Sequence, residues 1–210
     1  MTRTSRTNFN ESWLSEMPNG IGGTETYSAV NFNIRERIKY GSQVTKVNDN
    51  LFKIIGHQTA YYWYQENDVI TLGTELQITP QALVVTMTGK NPSYNKKPPY
   101  ASDLYNGILQ DNDIAIRLYS DTKLSDEGYS IWKRLFKMGN NVSIYDSNSP
   151  GTSFKTFHSQ SEMDQFFEKN SPEHERYQYV LSRKGEMLAE TNSFFNTRRY
   201  RELSGVGTED

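Results

Sequence analysis

The chain has 210 residues, 35% of them hydrophobic and 13% aromatic, which supplies enough large buriable area for one domain and too little length for a multidomain machine. Its 23 basic and 25 acidic residues leave a formal net charge of -2, so no global electrostatic case for nucleic acid exists. Zero cysteine excludes disulfides, a thiol nucleophile, thiolate zinc sites and iron–sulfur clusters, and no apolar run approaches the about 20 residues of a membrane helix.

No apolar stretch follows Arg3 and Arg6 to make a signal peptide, so the expected location is the cytoplasm. Residues 1–8 read as a flexible arm, residues 9–182 as one domain, and residues 183–210 as a partly helical extension ending in a disordered tail. Asn8 or Asn10 caps a short helix whose Phe9, Trp13, Leu14 and Met17 share a face, with Pro18 as the stop. A second helix is expected from Thr24, because Tyr27, Val30, Ile34 and Ile38 recur at helical spacing and Gly41 stands where a C-cap glycine would.

Helical period then disappears, and β-branched and aromatic residues fill four runs that read as an antiparallel meander: Leu51 to His57, Thr59 to Tyr64, Val69 to Ile78 and Ala82 to Thr88. In the third, Ile70, Leu72, Leu76 and Ile78 alternate with Thr71, Gly73, Glu75 and Gln77, which puts one face in a core and Glu75 on a polar face. Gly89 to Pro99 is a loop, and Ala101 to Gln110 a helix with Leu104, Ile108 and Leu109 inward. A strand from Ile114 to Tyr119 leads to the best-signalled element, a helix capped by Ser125 with a stripe of Ile131, Trp132, Leu135 and Met138 and a glycine stop at Gly139. Strand Asn141 to Asp146, a loop from Ser147 to Thr156, a short helix from Ser161 and strand Tyr177 to Ser182 complete the order. The fold class is α+β, with a mixed, mostly antiparallel central sheet flanked by helices, Val84, Met87, Ile116 and Ile144 at its centre and Trp132 as the anchor of the strong helix, which Gly128 would let approach the sheet.

This order of elements, and above all the stretch from Leu118 to Asp146, resembles the GNAT acyltransferase superfamily, and more loosely bacteriophage proteins of that general type. The resemblance implies an acyl-CoA donor, acetyl-CoA or a relative, lying along the strand of Val85 and Met87, with its pyrophosphate at the helix start of Ala101 and Ser102. It implies an amine acceptor, a small molecule, modified nucleobase or protein, and a tyrosine near the start of the later helix, Tyr129, that protonates the departing sulfur. The family's glycine-rich phosphate loop is missing: Pro98 and Pro99 have no N–H to offer, and Lys90, Lys96 and Lys97 would substitute charge for amides. That departure keeps a second reading open, a non-catalytic accessory or host-factor-binding protein of the same fold.

Each candidate residue also has a plain structural role. Tyr129 is one of 14 tyrosines and lies on a helix face beside Trp132, and Tyr119 and Tyr145 share its two readings. Glu75 is placed as a general base for an amine or as a solvated strand carboxylate. His57, His158 and His174 have no metal-ligand spacing, so no metal is expected. Asp103 with Asp121-x-Lys123 superficially fits a Mg²⁺-dependent nuclease, but turn chemistry explains Asp121 more simply. Arg198, Arg199 and Arg201, with Tyr200 interleaved, offer either a nucleic-acid contact or a helix-end charge cluster.

Overall fold

The computed structural model describes residues 24–79, 82–111, 117–121, 124–146, 155–169 and 176–183. The expected N-terminal helix, Ile116, Lys123, His174 and the arginines at 198, 199 and 201 lie outside them. Chain order is α1 (Thr24–Lys39), β1 (Thr45–Lys46), β2 (Leu51–Ile55), β3 (Thr59–Glu66), β4 (Val69–Ile78), β5 (Leu83–Lys90), a 3-10 turn (Pro92–Tyr94), α2 (Ala101–Gln110), β6 (Arg117–Tyr119), α3 (Asp126–Lys137), β7 (Asn141–Asp146), β8 (Lys155–Thr156), α4 (Gln160–Lys169) and β9 (Tyr177–Ser182). The strands form one mixed sheet in the order β1-β2-β3-β4-β5-β6-β9-β7-β8, antiparallel except where β5 meets β6. The fold is therefore α+β with helices flanking a mostly antiparallel sheet, and none of the described helices is long and apolar enough to cross a membrane.

On one face, α2 and α3 cover the main core. Leu104, Tyr105 and Ile108 of α2 and Tyr129, Trp132 and Leu135 of α3 pack on Leu51, Tyr62, Leu72, Leu76, Leu83 and Leu181 of the sheet. Trp132 is buried, with its ring 5.8 Å from Tyr105 and 6.2 Å from Tyr179, so it joins α2, α3 and β9 as the sequence stripe implied. Gly128 does not serve the expected close approach to the sheet, since a methyl there would meet Leu124 Cδ1 at 2.9 Å, just outside the helix cap.

On the opposite face, α1 lays Val30 and Ile34 against Ile54, Tyr61, Trp63 and Ile70. It comes very near. A Cβ on Gly89 would stand 2.5 Å from Tyr27 Cα, and one on Gly73 would stand 2.9 Å from Val30 Cγ1, so both strand glycines are places where a helix touches the sheet. Ile38, expected on the packed stripe, is exposed, and in that last turn of α1 it is Arg37 that meets the sheet, at Tyr61.

Two bulges shift the facing of residues that strict alternation had grouped together. Between β3 and β4, Tyr64 pairs Leu72 while Gln65 pairs Ile70, which turns Ile70 toward α1. Between β4 and β5, Glu75 pairs Met87 while Leu76 pairs Val85, leaving Thr86 as the extra residue, its hydroxyl donating to Glu75 O at 3.0 Å. Val85 accordingly faces the main core and Met87 faces α1. Val84 and Met87 are half-buried at the margins of two smaller clusters rather than at the sheet centre, whereas Ile144 is buried as expected.

Among the described residues one ion pair is buried beside the main core. Lys53 Nζ donates to Asp111 Oδ2 at 2.6 Å and Tyr62 Oη donates to the same oxygen at 2.8 Å, both ionic side chains nearly inaccessible. Asp111 is the C-cap of α2, so the pair fastens β2 and β3 to that helix end.

Two substitutions test this packing. Trp132→Ala is expected to lower unfolding free energy by about 3 to 5 kcal/mol in urea titration, the usual cost of deleting a large buried aromatic. Gly89→Ala is expected to cost about 1 to 3 kcal/mol, because the obstructing atoms belong to the α1 backbone and cannot rotate away.

Candidate functional site

The parallel contact of β5 with β6 has only two paired positions, Leu83 with Leu118 and Val84 with Tyr119. Beyond them β6 ends, and the Ser120 N–H turns to Tyr179 O of β9, while β5 runs on to Lys90. Among the described residues no strand pairs the outer edge of Val85 to Lys90. A strand edge inside a sheet is thereby left between the two faces, with α2 on one side and α1 on the other.

On the α2 side, Lys90 does not project freely. Its Nζ donates to the carbonyls of Lys97 and, at 2.9 Å, Pro99, and it lies 4.4 Å from the centre of the Tyr100 ring. Burial first, and then the Arg134 charge, pull its ammonium below the usual lysine range, against an opposing pull from Asp103. Arg134 of α3 reaches the same ring at 4.2 Å, so two cations flank Tyr100 just ahead of α2. Lys96 and Lys97 are exposed. Asp103 Oδ2 accepts the Tyr100 N–H at 2.7 Å, which makes it a capping carboxylate in the first turn of α2. The first-turn N–H groups of Ala101 and Ser102 have no carbonyl within the helix to reach. Ser102 is also buried, and its Oγ has no hydrogen-bond partner. A helix N-terminus with an orphaned buried hydroxyl and nearby cations is suited to an anion.

On the α1 side, Glu75 is half-buried between sheet and helix. Asn33 Nδ2 of α1 donates to Glu75 Oε2 at 2.9 Å, and the Tyr61 hydroxyl is also directed at the carboxylate. Desolvation raises the Glu75 carboxyl above the ordinary carboxylate range, with Asn33, Tyr61 and Arg37 acting in the opposite direction. Tyr61 is in turn pushed up to about 12, by burial and then by the Glu75 charge. The Arg37 guanidinium sits 6.0 Å from the centre of the Tyr61 ring.

The residues singled out by their sequence pattern therefore divide into groups, with β4–β5 pairing setting Glu75 opposite Met87 and the 90–102 segment gathering Lys90, Lys96, Lys97, Ala101 and Ser102 at the other mouth of the gap. Tyr129 stands apart, in a cleft of about 390 Å³ between α3 and α4. Its hydroxyl donates to Asp164 Oδ1 at 2.7 Å, Lys133 Nζ donates to the same oxygen at 3.2 Å, and its ring stacks on Phe167 with centroids 4.1 Å apart. Burial and the Asp164 carboxylate hold the Tyr129 phenol well above the usual tyrosine range, so its proton is strongly retained. Tyr119 and Tyr145 pack edge to face in a third cluster with Ala82 and Val180. His57 and His158 are exposed, and no group of three or more metal-ligating side chains occurs among the described residues.

Asn33, Arg37, Tyr61 and Arg134 belong to the site and had no signal of their own in the sequence. Asn33 and Arg37 are spaced i and i+4 on α1, a face marker, but nothing local tells that this face meets Glu75. No protein-family model, curated protein or solved structure matches the chain.

The raised Glu75 carboxyl fixes a pH dependence. The folded state binds this proton more tightly than the unfolded chain, so its contribution is fully present below the unfolded value near 4.5 and is lost as pH rises through the folded one. Glu75→Gln keeps the acceptor for Asn33 and removes the titration. Its melting temperature relative to the parent is expected to climb between about pH 4 and pH 7, and a difference that stays flat across that range would remove the assignment.

Proposed function

We propose that the chain is an acyltransferase of GNAT-like architecture that moves an acyl group from acyl-CoA to an amine. The observation that carries the reading is the parting of β5 from β6, which leaves an unpaired strand edge running from an anion-suited helix N-terminus on one face to a half-buried carboxylate on the other. A parallel pair that diverges, with the helix between its two strands opening its N-terminus at the gap, supports the family resemblance carried by Leu118 to Asp146.

In this reading Lys96, Lys97 and Arg134 hold the phosphates together with Ser102 and the Ala101 and Ser102 amides, so that charge and a hydroxyl replace the glycine cradle. The edge of Val85 to Met87 offers backbone groups to the amide-containing arm of the donor. Acyl-CoA supplies a thioester whose carbonyl carbon forms the new C–N bond as its C–S bond breaks, the sulfur leaving as a thiol with one of the amine's protons. Glu75 accepts the third proton of the acceptor's ammonium, which leaves the nucleophilic amine; of its two remaining protons one departs with the sulfur and one stays on the amide nitrogen. A carboxyl lifted by burial is better matched to that transfer near neutral pH than an ordinary one, and Asn33 and Tyr61 keep its oxygens aimed.

A non-catalytic binding protein of the same fold is the second reading. It is favoured by Asp103, which places a negative charge in the first turn of α2, and by Lys90, whose donors are spent on loop carbonyls.

Thermal shift and calorimetry with acetyl-CoA decide between them. Ligand at 100 times its Kd is expected to add about 2.7 kcal/mol of stability. Replacing Lys96 and Lys97 together by Gln is expected to weaken binding and flatten its salt dependence while leaving the melting temperature of the free protein unchanged, since both are exposed. Absence of heat and of shift at millimolar acetyl-CoA would leave the second reading.

A further inference from the structure

The rim of the Glu75 site carries a charge that the reaction itself does not require. Arg37 lies one helical turn after Asn33 on α1, on the same face, and its side chain is exposed. It is close enough to act on Glu75 and on the Tyr61 hydroxyl, yet it closes no ion pair among the described residues, and its guanidinium is steadied over the Tyr61 ring. A guanidinium whose task was to neutralise Glu75 would lock onto both carboxylate oxygens as a fork. Offsetting the carbonyl end of α1 is a task that asks for no neighbouring carboxylate and no ring, and Lys39 in the same turn already supplies a cation there, paired to Glu36.

The site therefore presents a half-buried anion held by Asn33, with an exposed cation one helical turn further along α1 and Tyr61 beside both. That order is complementary to a molecule with the opposite order of charges, an ammonium inside and a carboxylate outside. We propose that the acceptor is an amine bearing a carboxylate a few bonds away, a free amino acid or a compound of that type, and that Arg37 is the residue that selects it. The proposal rests on the reading of Glu75 as the residue that receives the amine. Arg37 disfavours a polyamine, whose second positive charge would meet the guanidinium, and gives no foothold to a lysine side chain or a nucleobase amine, which carry no carboxylate beside the nitrogen.

The test uses the full chain and matched pairs of ligands: alanine with ethylamine, and phenylalanine with phenethylamine, titrated by saturation-transfer NMR with and without coenzyme A. The amino acid of at least one pair is expected to bind about tenfold or more tightly than its amine, the scale of a lost charged hydrogen bond. Arg37→Gln is expected to erase that difference by weakening the acid and sparing the amine, whereas Glu75→Gln weakens both. Circular dichroism and melting of Arg37→Gln guard against misfolding, and Arg37→Lys, which keeps charge without the fork, is expected to restore part of the preference. Equal binding within each pair, no binding of any of the four ligands, or a preference that survives Arg37→Gln would overturn the proposal. If acetyl-CoA binds and the amino acids do not, the proposal falls while the acyltransferase reading stands. If amino acids bind through Arg37 and acetyl-CoA does not bind, the carboxylate recognition stands and the acyltransferase reading falls.

Discussion

The sheet is continuous through two residue pairs, Leu83 with Leu118 and Val84 with Tyr119, and everything else in the molecule is arranged around that short joint. Five strands lie on one side of it and four on the other. Parallel pairing over two positions contributes few ladder hydrogen bonds, so side chains must hold the halves together. Trp132 does so by standing between Tyr105 of α2 and Tyr179 of β9, one on each half. A wider joint would strengthen the sheet and close the gap in which the candidate site lies.

Which groups border that gap depends on the bulge at Thr86. Without the extra residue, Met87 would share the facing of Val85 and point into the main core, and the strand would offer α1 a different side chain beside Glu75. The close seat of α1 over Gly89 and Gly73 then brings Asn33 and Arg37 down to the carboxylate. Backbone irregularity and two missing side chains thus decide the chemistry around Glu75, where the polar residues come from α1, β3 and β4.

Local signals were legible where they act over short distance. Ser125 caps α3, its Oγ accepting the Gly128 N–H at 3.1 Å, and Gly41 and Gly139 end their helices with φ of 79° and 77° as their positions implied. The meander follows from period alone, and so does the α3 stripe through Leu135, whereas Met138, expected to end the stripe, is the C-cap residue and is exposed. The bulges did not, because an extra residue on β5 is defined only against its partner on β4. Strands β1 and β8 are two residues long and carry too little pattern to recognise. Insertion of β9 between β6 and β7 pairs residues far apart in the chain, and Lys53 is buried for a partner 58 residues away. Of the site, Glu75, Met87 and the 90–102 segment were legible as a strand face and a loop ahead of a helix. Arg37, Asn33 and Arg134 were ordinary helix surface until the tertiary fold gave each a neighbour.

The buried Lys53–Asp111 pair gives α2 an unusual mechanical status. Arg183 adds donors to the Leu109 and Asp111 carbonyls, so the C-terminal end of the helix is gripped from β2, β3 and the end of β9. Removing one partner of such a pair costs about 3 to 5 kcal/mol, so the grip is stiff. The other end is moored through its N-cap Tyr100, whose ring is flanked by Lys90 of β5 and Arg134 of α3, and, along its length, by the Tyr105 hydroxyl to Thr88, itself bonded to Thr74. A rod about 15 Å long and clamped at both ends cannot slide or tilt to greet an anion. Its electrostatic end is set before any ligand arrives, little ordering entropy remains to be lost on binding, and loosening the far clamp at Asp111 would be felt as weaker anion affinity at an end of the helix that Asp111 never touches.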